Sequence, residues 1–425
     1  MTSKTKTTLA SAIFGVAICF LSQAEDWPQY RGPDHDGHSS EKILESWPAT
    51  GLRAIWKVPL SDGFSSFAVG SGKAFTLIAR DVDGAQQEVC VALDANTGKE
   101  IWAATLGIAK YDGGGNSGAP DNQGGDGPRS TPAVSEGRVY TLSARLVLKC
   151  FDADSGKLIW SHDIVRENEG QKIHWQNASS PVLDGDLVFV MGGGPGQALL
   201  AFNQKDGRLV WKGQDDRMTH STPTVATILG VRQVIFFTQN GLVGVETKTG
   251  KLLWRYPFRY STSTAMTPVA SGDMIYCSAG YGVGASACKI TKTGNAFAAT
   301  QLWFEPASVL NSHWSTPVSR DGYIYGLFGT KQFGRAPLEC VELATGKIMW
   351  SHPDFGPGGC ALVDGHVLVL SDAGDLVMVK ADPKTYVETA RSHAVDGKCW
   401  SSPAVSNGRI YARSTREGAC LDVSP

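Results

Sequence analysis

The sequence predicts an all-β fold, an eight-bladed β-propeller, and three observations carry that prediction. A unit of four short β-rich runs, seen in Arg129–Trp160, returns in register along almost the whole chain. A tryptophan closes most of the units, at positions 56, 102, 160, 211, 254, 303 and 350. The two ends are complementary: Arg53–Val58 is a fourth strand with no first three before it, and the unit opening at Ser402 reaches Pro425 without a fourth strand. Pairing Arg53–Val58 with Ala419–Val423 closes a ring and leaves no open sheet edge between the first and last units.

Each element of Arg129–Trp160 has a local cause. Pro132 lacks the N–H that a central ladder position donates, so it marks the start of a first strand. Ser135-Glu136-Gly137 is turn chemistry, Arg138–Ala144 is a second β-rich run, and Leu146–Asp152 is a third with alternating faces. Ala153-Asp154-Ser155-Gly156 then turns the chain, and a short fourth strand ends on Trp160. Four strands cannot bury both faces of a sheet alone, so the unit must stack on copies of itself. The copies run Thr131-Pro132 to Trp160, Ser180-Pro181 to Trp211, Thr222-Pro223 to Trp254, Thr267-Pro268 to Trp303 and Thr316-Pro317 to Trp350. Phe67-Ala68-Val69 to Trp102 has alanine where proline stands elsewhere, Gly359–Arg391 lacks both proline and tryptophan, and Ser402-Pro403 opens the last unit. A seven-bladed ring with Gly359–Arg391 as a cap is the structural alternative.

Ahead of the ring, Lys4 and Lys6, an apolar run from Leu9 to Leu21, and the small residues Ser22 and Ala24 read as a secretory signal peptide over residues 1–24, too short for a lasting membrane span. Cleavage is expected before Glu25, and Ile18 argues against lipid attachment at Cys19. Residues 25–50 carry Trp27-Pro28 and Trp47-Pro48 without a strand period, and are expected to form an extended arm docked on the propeller of residues 51–425. The expected location is periplasmic or extracellular, and the expected state is a soluble monomer. Losing Lys4 and Lys6 leaves 37 basic against 41 acidic side chains, which offers no basic face for nucleic acid.

The cysteines recur at one place. Cys150, Cys288 and Cys340 each stand six residues before a turn glycine, Cys420 takes the matching position, and Ala92, Ala201 and Gly244 fill it elsewhere. Only small residues occur there, which predicts a cramped buried site beside the tryptophan and free thiols. The full form of the pattern is Ala92-Leu93-Asp94-Ala95-Asn96-Thr97-Gly98-Lys99-Glu100-Ile101-Trp102, and Cys150–Trp160, Gly244–Trp254 and Cys340–Trp350 are variants of it. This resembles the tryptophan-docking motif of the PQQ-repeat propellers, over about residues 51–423. That superfamily includes pyrroloquinoline quinone-dependent alcohol dehydrogenases and the outer-membrane-protein assembly scaffold. The resemblance implies the fold; members with and without the quinone share the motif.

First strands line the central channel of a propeller, so residues just before them should gather around one mouth. Three positions before the strand-one proline the ring reads Ser65, Arg129, Ala178, His220, Ala265, Trp314, Pro357 and Trp400, alternating large and small. Such alternation packs a tapering channel. It could also frame a ligand mouth, with Trp314 or Trp400 stacking on a planar quinone, Arg129 holding a carboxylate, and His174, Asn177, His220, His313, Asp396 and Lys398 nearby. The dehydrogenases this chain resembles carry a vicinal cysteine pair and a calcium held by glutamate and asparagine beside a catalytic aspartate. No Cys-Cys occurs here, and Asn177 and Asp396 are the only candidates for calcium and catalysis. The insertion Gly107–Gly127 reads as a flexible solvated loop, with a calcium site from Asp112, Asn116, Asp121 and Asp126 as the alternative. The reading that follows is a non-catalytic scaffold for a protein partner or a small ligand, with no cofactor; the rival is a dehydrogenase using pyrroloquinoline quinone and calcium.

Overall fold

Eight antiparallel sheets follow one another around a ring in a computed structural model, which describes residues 25–111, 127–306, 309–329 and 335–425. Blade 1 is Ala68–Gly70, Lys73–Val82, Ala85–Asp94 and Glu100–Ile108, and blades 2 to 6 repeat that order up to His352. Blade 7, Gly359–Val363, His366–Leu370, Asp375–Lys380 and Glu388–His393, is a full blade, so its weak sequence does not reduce the ring to seven. Blade 8 joins Ala404–Val405, Arg409–Arg413 and Glu417–Asp422 to Ala54–Pro59, with Trp56 opposite Cys420 and Lys57 opposite Ala419. The ring closes as the complementary ends predict. A buried arginine secures the seam: Arg413 of blade 8 donates to the Leu77 carbonyl at 2.7 Å and the Thr76 hydroxyl at 2.8 Å in blade 1.

The small residue opposite each tryptophan has its expected cause. Trp102 faces Ala92, Trp160 Cys150, Trp211 Ala201, Trp254 Gly244 and Trp350 Cys340 across the outer strand pair. Blade 5 corrects the alignment. Its outer hairpin is longer, two ten-residue strands turning at Gly294-Asn295, so Trp303 faces Ala287 and Cys288 lies opposite Gln301. Each docked indole reaches into the next blade, where its N–H donates to a carbonyl of the turn between the third and fourth strands, as Trp102 does to Ala153 at 2.9 Å and Trp211 to Thr247 at 2.8 Å. Gly250 shows why that turn needs glycine: φ is +70° and an added Cβ would lie 2.6 Å from the Trp211 ring. Trp254 is the exception, donating at 2.7 Å to Gln233 of its own blade. The eight described cysteines are buried and free, Cys360 and Cys399 included.

The hydroxyls before the prolines bind the blades together at the inner edge. The Ser66 N–H donates to Thr131 Oγ1, Thr131 N–H to Ser180 Oγ, and Ser180 N–H to Thr222 Oγ1, each at 2.9 Å, and Ser402 N–H reaches Ser66 Oγ at 3.0 Å across the seam. The arm does not lie on the outside. It lies inside the ring against the first strands, burying Trp27, Gln29, Arg31, His35, Glu41 and Ile43.

Candidate functional site

The pre-strand residues do gather around one mouth, and most of their polar atoms are engaged by the ring itself. The Arg129 guanidinium donates to the Trp175 carbonyl and lies over the Tyr111 ring, 5.4 Å from its centroid. His220, 5% exposed, places Nε2 2.9 Å from the His174 carbonyl and Nδ1 2.9 Å from the Ser263 hydroxyl. Those partners call for a neutral imidazole with its proton on Nε2, and burial, reinforced by Arg129, lowers its pKa to about 4. Asn177 turns inward, its amide donating to the Ser179 carbonyl at 2.9 Å and accepting the Ser179 N–H at 2.9 Å. Asp396 is not in the mouth chemistry. Its carboxylate is mostly exposed and sits 3.0 Å from His393 Nε2, while Asp375 holds Nδ1 of the same ring at 2.8 Å.

Apolar faces dominate what remains. Trp314 and Trp400 come from blades separated by one and meet at 4.4 Å between ring centroids, with the Trp314 N–H on the Pro357 carbonyl between them at 2.8 Å. Small Pro357 thus makes room for its two large neighbours, as the alternating pattern requires. Phe64 stacks on Trp400 at 5.1 Å, and Lys398, 4% exposed, rests its ammonium 4.7 Å from the Trp400 centroid. His313 bridges Trp314 and Tyr281, at 4.9 Å and 5.1 Å, and Tyr281 faces Trp175 at 6.1 Å. Sequence reasoning missed Phe64 and Tyr281. Phe64 lies one residue off the aligned column, and Tyr281 sits in the turn between the second and third strands of blade 5, where it takes φ of +59°.

Two further features flank the mouth. Glu88 is 1% exposed, accepts from Tyr111 at 2.8 Å and from the Ala144 N–H at 2.9 Å, and burial pushes its carboxyl above the usual range. A cleft of about 310 Å³ between blades 3 and 4 is lined by residues that include Lys172, His174, Gly193, Arg217 and Tyr260. The calcium candidates Asp112, Asn116, Asp121 and Asp126 lie outside the described residues. Among the described residues no three histidine, cysteine or carboxylate side chains converge to hold a metal.

The quinone fits this mouth poorly. Trp314 and Trp400 already pack against each other, tilted by 36°, Arg129 holds a backbone carbonyl, and Asn177 and Asp396 point their chemistry elsewhere.

Comparison with known proteins adds relatives of two kinds. A family profile described as outer membrane protein assembly factor BamB matches residues 85–352. An outer membrane protein assembly factor BamB from Moranella endobia is 26% identical over 326 residues, covering 75% of this chain and 66% of the relative, so the chain spans just under two thirds of that relative's length. Among solved structures, BamB from Moraxella catarrhalis is similar with a TM-score of 0.59 and 14% identity, over 87% of this chain and 97% of that one. A quinohemoprotein alcohol dehydrogenase from Comamonas testosteroni is similar with a TM-score of 0.65 and 15% identity, over 93% and 80%. Likenesses at such identities establish the propeller and leave the chemistry to the site.

Proposed function

We propose a function from one premise: the chain belongs to the family described as outer membrane protein assembly factor BamB. It acts without catalysis as an exported, periplasmic scaffold that binds protein partners in the assembly of outer-membrane proteins. The observation that carries this reading is the engagement of the mouth by its own ring, since Arg129, His220 and Trp314 all hold backbone carbonyls of neighbouring blades. Residues so placed shape and stiffen a platform. They are not poised to hold a cofactor or move a proton in a substrate. The leader over residues 1–24 supports export, and no helix among the described residues is long and apolar enough to cross a membrane.

The test has two arms. Deleting the gene should lower the amount of folded β-barrel protein in the outer membrane, with recovery on return of the intact chain; unchanged barrel levels would count against the assembly role. Adding pyrroloquinoline quinone with calcium to purified protein should leave the melting temperature unchanged, whereas a tight site at 100 times its dissociation constant would add about 2.7 kcal/mol. A rise abolished by Arg129→Ala, together with dye-linked alcohol oxidation, would replace the scaffold reading with the dehydrogenase one.

A further inference from the structure

The first strands of a propeller form an inner edge whose channel-facing N–H and C=O groups have no further strand to pair with. In this chain the arm supplies partners to seven of the eight blades. Trp27 exchanges backbone bonds with Val69 of blade 1 at 3.0 and 2.7 Å, and the Pro28 carbonyl accepts the Val134 N–H of blade 2 at 2.7 Å. The Gln29 side chain reads blade 3 as a strand would, accepting the Leu183 N–H at 2.8 Å and donating to its carbonyl at 3.3 Å. The Thr224 hydroxyl of blade 4 donates to the His35 carbonyl at 3.3 Å. Arg31, 3% exposed, donates to the Thr316 and Pro317 carbonyls of blade 6 at 3.1 and 2.8 Å, deep in the channel at the start of that first strand. His38–Ser39 runs parallel to Leu362–Val363 of blade 7, and Glu41 accepts the Asn407 and Gly408 N–H groups of blade 8 at 2.6 Å each.

The contacts also select a sequence. Gly37 takes φ of +82°, and an added Cβ would lie 2.9 Å from Val318. Gln29, Arg31 and Glu41 are buried polar side chains whose hydrogen bonds go largely to backbone, so each would leave several groups without partners if replaced by an apolar residue. The covalent tie is slight by comparison: Glu45, Ser46, Pro48, Ala49 and Thr50 are all exposed, between the buried arm and the closing strand at Ala54.

We infer that the channel is a peptide-binding site and that its resident ligand is the chain's own residues 25–44, held as a separable ligand by recognition of tryptophan, glutamine, arginine and glycine at fixed positions. This site is distinct from the mouth, and it stands whether or not the scaffold reading does. A second copy's arm is an alternative source of the same ligand.

A protease site inserted between Ala49 and Thr50 of the full chain tests the inference. After cleavage of the folded protein, the N-terminal fragment should remain with the ring through dilution and gel filtration. A labelled synthetic peptide spanning residues 25–49 should replace it over time. Peptides carrying Arg31→Met or Gly37→Ala should compete roughly ten- to a hundredfold less well. Loss of the fragment on dilution, collapse of the ring on cleavage, or equal competition by the variant peptides would each overturn it. Dimers seen before cleavage would show that the arm is exchanged between copies, and dimers resolving to monomers on addition of the peptide would support the same site.

Discussion

Acidification from about pH 8 to about pH 5 should weaken this ring through two buried imidazoles. His220 and His35 both lie inside it, 5% and 4% exposed, and both have pKa values lowered to about 4. Burial is the first cause for each, joined by Arg129 at His220 and by Arg232 at His35. The unfolded chain takes up each proton near the ordinary value of about 6.5, before the folded chain does. The stability these groups contribute is therefore complete above about pH 6.5 and is lost as the pH falls toward 4. At about pH 5 each histidine accounts for a loss of about 2 kcal/mol, so the pair costs about 4 kcal/mol. Urea unfolding of wild type and His220→Gln at both pH values measures it. The glutamine amide can still donate to the His174 carbonyl but cannot titrate, so the variant should start less stable and lose about 2 kcal/mol less on acidification. An equal loss in both proteins would refute the assignment of His220. His393 works in the opposite direction: Asp375 first, then Asp396, raises its pKa, so its contribution is full below about pH 6.5 and fades as the pH rises through the raised value.

Three other outcomes follow from the packing. Arg413→Ala should cost about 3–5 kcal/mol by unfolding midpoint, because it strips partners from the Ser61, Leu77 and Ser414 carbonyls and opens a hole at the seam, while Arg53→Ala, which removes a surface pair with Asp422, should cost under about 1 kcal/mol. Gly250→Ala should destabilise by about 1–3 kcal/mol more than Gly272→Ala, since both take positive φ but only the first Cβ meets a ring; equal losses would dismiss the docking contact. Thiol titration of folded protein should find the eight described cysteines unreactive, with burial pushing Cys360 and Cys420 to about 11, and titration after denaturation without reductant should find at least eight thiols; fewer would mean disulfides.

The ring was legible because its cause repeats. A proline without an N–H, a glycine at a tight turn and a tryptophan facing a small residue act within one blade and its neighbour, so each leaves a mark at fixed spacing. Blade 7 escaped the pattern by reversing it: Ala390 stands on the outer strand opposite Met378, so the large side chain moved to the third strand. Blade 5 misled for a different reason: its hairpin of ten-residue strands carries the turn glycine further from the tryptophan than in the other blades, so counting back from Gly294 lands on Cys288 instead of Ala287. At the mouth, the column of Ser65, Arg129, His220, Trp314 and Trp400 was legible as a set of positions. What those side chains bind was not, since Arg129 and His220 meet carbonyls contributed by His174 and Trp175, residues outside the column. The arm was least legible. Its partners are backbone groups of six blades and one threonine hydroxyl of a seventh, which carry no sequence signature, and its own Gln29, Arg31 and Glu41 look like ordinary surface residues.

The seam has a consequence for how such a molecule is made. Arg53 and Asp422 are 369 residues apart in the chain and adjacent in one sheet. A polypeptide threaded outward from its N-terminus delivers Ala54–Pro59 early and Glu417–Asp422 nearly last. Throughout that interval the early strand is an orphan, with its hydrogen-bonding edge open to any passing strand. The nascent edge must therefore stay shielded until the last strand arrives, and a message cut short before codon 417 yields a horseshoe that no local repair can shut.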